Sequence, residues 1–192
     1  MGTSHQTIIL YSAQADPVLE AIDRDGTCYN KACYIQKKYQ EVSEVFLTAY
    51  RQFVRYAAPI LPPPPEAEFP YWAYENPQDM YSAGLTVLKL EVPLDQVILF
   101  DPKEWNRVLQ FRYLGLSEAD NQSFQRELDL RGINVWEVMR SNFYPDLRQK
   151  ILSSWKWLFR NHTALLAGER DEIPSAQAAL WQIRCEWILE RF

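Results

Sequence analysis

Two short runs carry the side chains with most scope for chemistry. Tyr11-Ser12-Ala13-Gln14 places two hydroxyls and an amide at the end of an apolar, β-prone stretch and just ahead of Asp16-Pro17, which opens a helix. Donors at a strand end beside a helix N-terminus can converge on an anionic or amide-bearing ligand. The same residue types also serve as ordinary caps. The second run, Tyr71-Trp72-Ala73-Tyr74, stands near Asp79, Tyr81 and Ser82. Rings beside polar groups suit the stacking of a flat heterocycle, and alternating rings equally make a core strand.

Few other motifs bear on a reaction. The chain lacks a phosphate-cradling glycine loop, a dinucleotide fingerprint, a nucleophile elbow and a metalloprotease helix. Of its two histidines, His5 lies in a polar N-terminus and His162 in what reads as a loop, which leaves His162 as the one candidate imidazole base. Three cysteines, Cys28, Cys33 and Cys185, form no disulfide framework. With only two histidines to add, they are short of a zinc set, so no metal is expected. Asp23, Asp25, Glu41 and Glu44 fall on solvated faces. Thiols without a framework, no apolar run long enough to span a bilayer and no leader predict a cytoplasmic protein without a membrane partner.

The elements that would position these residues follow from periodicity. Thr7–Ser12 reads as a strand, and Val18, Leu19 and Ile22 as a helix that stops at Gly26. Apolar residues recur at three and four from Ile35 to Ala58, predicting a long helix. Pro62–Pro65 must be extended. Phe69–Tyr74, Thr86–Val92 and Val97–Phe100 read as strands; Asp101-Pro102, Ser117 and Pro145 open helices, the last running to Phe159. Ala176–Phe192 fits helix by propensity and strand by alternation. The expected architecture is α+β, a single domain over residues 7–192 behind a disordered 1–6, with a small mixed sheet, a long helix in the N-terminal half and several helices inserted between strands. With 192 residues, 47% hydrophobic and 14% aromatic, the chain can build that core unaided. A net charge of −5 argues against an extended basic face for duplex nucleic acid.

The runs Tyr11-Ser-Ala-Gln14, Phe69-Pro-Tyr-Trp-Ala-Tyr74, Leu88-Lys-Leu-Glu-Val-Pro93, Val97-Ile-Leu-Phe-Asp101, Ser154-Trp155 and Ala176-Gln-Ala-Ala-Leu-Trp181 together resemble the bacterial family DUF3841. That resemblance spans nearly the whole chain and implies a fold more than an activity. Asn76–Tyr81 departs from the Pro-Asp-Leu-Arg element of many members, so no arginine role carries over there.

The chain also resembles, more weakly, the DarT-like branch of the ADP-ribosyltransferase superfamily, whose first strand binds NAD and whose late Gln-Ala-Glu strand supplies a catalytic glutamate. The resemblance implies an ADP-ribosyltransferase-like fold and a C-terminal strand. It also implies NAD as cofactor or substrate on Tyr11, Ser12, Gln14, Tyr71, Trp72 and Tyr74, with Gln177 at the ribose in the catalytic place. Ser12 stands where that branch has histidine, and Ala179 where it has the glutamate. Alanine cannot stabilise the cationic state formed as nicotinamide leaves, and a neutral carboxamide brings no charge to it. Two expectations follow. One is an ADP-ribosyltransferase-like protein that binds NAD and transfers ADP-ribose to a nucleic acid or protein acceptor. The other is a catalytically inactive binding protein on the same fold, recognising a nucleotide, a nucleic acid or a protein through the aromatic strand.

Overall fold

The computed structural model describes residues 6–31 and 43–192. Cys33, the first part of the predicted Ile35–Ala58 helix, and Met1–His5, most of the segment expected to be disordered, lie outside them.

Among the described residues the strands are β1 (Thr7–Gln14), β2 (Thr27–Tyr29), β3 (Tyr71–Tyr74), β4 (Thr86–Pro93), β5 (Ile98–Phe100), β6 (Gln177–Leu180), β7 (Gln182–Arg184) and β8 (Ile188–Arg191). Six of them form one sheet in the order β5-β6-β3-β1-β4-β8, and β2 pairs with β7 in a second. Every neighbouring pair is antiparallel, which narrows the expected mixed sheet. The α+β class is as expected, with helices set between strands. The α-helices among the described residues are α1 (Asp16–Asp25), α2 (Ser43–Ala57), α3 (Pro102–Leu109), α4 (Glu118–Leu130), α5 (Val135–Arg140), α6 (Pro145–Ser154) and α7 (His162–Leu166). Among the described residues no helix is long and apolar enough to cross a membrane.

Local chemistry sets most boundaries. Pro17 occupies the first turn of α1, and Gly26, at φ 74°, closes it with its N–H on the Ile22 carbonyl. Ala15 holds the N-cap, one residue before the Asp16 expected there. Side chains of Asp101, Ser117 and Asn134 cap α3, α4 and α5. The segment from Pro145 is α-helical to Ser154 and tightens into a 3₁₀ turn over Trp155–Phe159. His162–Leu166, expected as loop, is a short helix, and the ambiguous C-terminus is strand.

The sheet separates two cores. One face carries Trp72, Ile98, Phe100 and Ala179 under α2 to α6 and the 3₁₀ turn; the other carries Leu10, Tyr71, Leu88, Leu90, Leu99, Ala178 and Leu180 under α1, β2, β7 and α7. Aromatic surplus goes mostly into the first. Tyr50, Phe53, Phe100 and Trp105 surround Trp72 with ring centroids 4.8 to 6.0 Å away. Each such pair contributes about 0.5–1.5 kcal/mol beyond its buried area.

Candidate functional site

Directly paired residues of antiparallel strands share a face. The register pairs Tyr11 with Tyr74, Tyr74 with Gln177, and Trp72 with Ala179, which puts Tyr11, Trp72, Tyr74 and Gln177 on the face of the aromatic core. Ser12, Gln14 and Tyr71 alternate with them and lie on the opposite face. The seven residues expected to surround one ligand are therefore divided by the thickness of the sheet.

On the Ser12 face the polar groups satisfy one another. Gln14 Nε2 donates to Ser12 Oγ at 2.7 Å, and Ser12 Oγ donates to the Trp72 carbonyl at 2.6 Å. Ser12 is 0% exposed and Gln14 is buried, so this relay stitches β1 to β3 from inside. The buried Tyr71 Oη lies 2.9 Å from Cys28 Sγ. Trp72, on the other face, is partly buried and donates its indole N–H to Tyr50 Oη at 2.8 Å. Its ring packs against the aromatic core. Trp181 is likewise buried, with its N–H on the Leu61 carbonyl at 2.8 Å, where the proline run begins.

Gln177, Tyr74 and Tyr11 form a row across β6, β3 and β1, which Lys89 extends onto β4. Gln177 Nε2 donates to Tyr74 Oη at 3.2 Å, and Lys89 is paired with Glu190 of β8 at 2.6 Å. Gln177 is 3% exposed, and Phe100 on β5 flanks it. Ala179, two residues on, is 1% exposed and faces the aromatic core.

Next to this row a clamp closes the end of β3. Arg170 donates through Nε and Nη2 to the Glu75 carboxylate, the Nε bond being 3.1 Å, while Glu75 Oε2 also accepts the Ala176 N–H at 2.7 Å. An arginine from a distant part of the chain thus reaches the turn after β3. Asp79 accepts from Ser175 Oγ at 2.6 Å, and Tyr81 is largely exposed. His162 is no free loop base. Its Nδ1 accepts the Leu99 N–H at 3.1 Å on the edge strand β5, and burial holds the imidazole below its ordinary pKa. Among the described residues no group of three or more His, Cys, Asp or Glu is placed to hold a metal ion.

A feature that the sequence reading passed over is a cleft of about 710 Å³ in the helical layer, between the end of α3, α4 and the start of α5. Its wall includes Gln110, Arg112, Gln125, Asn134 and Trp136, over a floor containing Phe124 and Leu128. Trp136 is 41% exposed although its ring packs edge-on against buried Phe111, with centroids 4.9 Å apart. The turn at Phe111 is strained. Its φ of 60° is left-handed, rare for an aromatic residue, and its N–H bonds the Val108 carbonyl while that of Arg112 bonds the Arg107 carbonyl. This is a helix stop usually made by glycine, occupied instead by a ring that is needed in the core. No sequence motif marks the cleft, since its residues come from the end of α3, from α4, from the start of α5 and from the turns between them.

These features define a small α+β domain with an antiparallel sheet and an open polar cleft on its helices. The chain matches, over residues 9–189, the family described as Domain of unknown function (DUF3841), and it belongs to that family. No curated protein and no solved structure matches it. The expectation of a NAD-using transferase is corrected by these findings. The family is one of unknown function, and Ser12, Trp72 and Gln177, on which that expectation rests, are engaged in holding the sheet together.

Proposed function

We propose that this protein is a binding domain without catalytic turnover, which recognises its partner through the helical layer and not through the aromatic strand. The buried relay from Gln14 through Ser12 to the Trp72 carbonyl carries this reading, because groups committed to one another inside a core are not available to a substrate. The position of Trp136, an indole left two-fifths exposed at the edge of a polar cleft, supports the choice of surface.

Incubation of the protein with NAD and a mixture of RNA, DNA and protein acceptors, read by mass spectrometry, tests the absence of turnover. No mass increment is expected on any acceptor. Ser12→Ala and Gln177→Ala are expected to lower the melting temperature while leaving ligand binding per folded molecule unchanged. A covalent product that disappears in either variant overturns the reading.

A further inference from the structure

We infer that the cleft between α3, α4 and α5 is a binding site for a mononucleotide, a ligand that joins a flat heteroaromatic ring to a phosphate; this rests on the binding reading above.

The cleft's polar groups are not all equally available. Arg107 is paired with Glu118 at 3.2 Å, and Gln125 Nε2 donates to Asp129 at 2.9 Å. Asn134 spends its Oδ1 on the Trp136 N–H as the α5 cap at 2.8 Å, which leaves its Nδ2 amino group to donate. Arg112 is exposed and takes no ion-pair partner among the described residues. A guanidinium, neighbouring amides and an indole thus face one cavity of about 710 Å³, ample for a mononucleotide. The guanidinium matches a phosphate through paired N–H donors, and the indole offers a stacking face for a base. The left-handed turn supports the same assignment. Phe111 stands between Gln110 and Arg112, both in the cleft wall, and its ring backs Trp136, so one strained residue fixes the cation and the ring together. A polymer fits less well. The chain's net charge is −5, and among the described residues of the cleft wall Arg112, with no ion-pair partner, gives one phosphate contact.

Calorimetric titration of the full chain with AMP, GMP, CMP and UMP, beside adenosine and inorganic phosphate as separate probes, tests the inference. At least one mononucleotide is expected to bind more tightly than either adenosine or phosphate alone. Arg112→Ala, at an exposed position, is expected to weaken the mononucleotide about tenfold and adenosine hardly at all. Trp136→Ala is expected to weaken both by about tenfold. Trp136→Phe, which keeps a ring against Phe111, is expected to retain most of the affinity and guards against a folding defect. Failure of every mononucleotide to saturate at roughly millimolar concentration overturns the inference. Binding indifferent to Arg112→Ala and Trp136→Ala overturns the cleft assignment and leaves the binding reading in place. Cleavage or transfer of the bound nucleotide overturns the binding reading itself.

Discussion

Tyr74 and Gln177 face each other across β3 and β6, joined by a hydrogen bond from the carboxamide Nε2 to the phenol oxygen at 3.2 Å. The bond spans 103 residues of sequence and ties the late strand to the middle of the sheet. A double-mutant cycle with Tyr74→Phe and Gln177→Leu is expected to give a coupling of about 0.5–1.5 kcal/mol in urea unfolding. Coupling near zero would mean that the two side chains do not share this bond in solution.

His162 makes stability depend on pH. Its Nδ1 can accept the Leu99 N–H only when that nitrogen carries no proton, and burial places the folded pKa below the unfolded value of about 6.5. The unfolded chain therefore binds the proton first as pH falls. The group costs nothing above the unfolded pKa. Stability is lost as pH drops from about 6.5 toward the folded pKa, and the loss levels off below it. Urea midpoints from pH 8 to pH 5 are expected to fall for the parent, and to fall less for His162→Gln. A parallel decline in both proteins would assign the effect to other groups. His162→Ala, which leaves the Leu99 N–H without its partner, is expected to cost about 1–3 kcal/mol at neutral pH.

The readable parts of this fold were those fixed by local rules. The alternation in Thr86–Val92 and the proline and glycine limits of α1 each name their element without help from distant residues. Ala176–Phe192 stayed ambiguous because its strands are decided by partners far away, β6 by Tyr71–Tyr74 and β7 by Thr27–Tyr29. The candidate site residues part company for a similar reason. Tyr11-Ser-Ala-Gln14 and Tyr71–Tyr74 cluster in sequence, yet a strand sends neighbouring side chains to opposite faces, and the pairing divides each run in two. The cleft presents the converse. Arg112, Asn134 and Trp136 are scattered among polar stretches and acquire meaning only when the turn at Phe111 brings them together.

Glu75 joins the end of β3 to the segment that leads into β6. It receives two bonds from Arg170 and one from the Ala176 N–H, and its side chain is 19% exposed against 26% for Arg170. Glu75→Ala is expected to cost about 2–3 kcal/mol, since it strands a partly buried guanidinium and a backbone donor together. Glu75→Gln keeps an acceptor for Ala176 and is expected to cost less. Hydrogen exchange at the Ala176 amide should quicken in Glu75→Ala; unchanged protection there would show that the clamp does not hold β6.

Phe111 sets a backbone preference against a core contact, and two substitutions separate them. The left-handed φ of 60° favours glycine by roughly 1 kcal/mol over alanine. The buried ring, packed on Trp136 and stacked on Trp155 at 6.2 Å, is worth about 3–5 kcal/mol when removed. Both Phe111→Ala and Phe111→Gly should therefore be less stable than the parent. Phe111→Gly should be the more stable of the two, the reverse of their order inside a helix. Equilibrium unfolding decides it, and an alanine variant equal to or above glycine would rule out the left-handed stop. Because the same turn carries Arg112 and backs Trp136, Phe111→Gly restores the backbone but not the wall. Its effect on ligand affinity at the cleft should then follow the lost ring, with weakening comparable to that of Phe111→Ala despite the difference in stability.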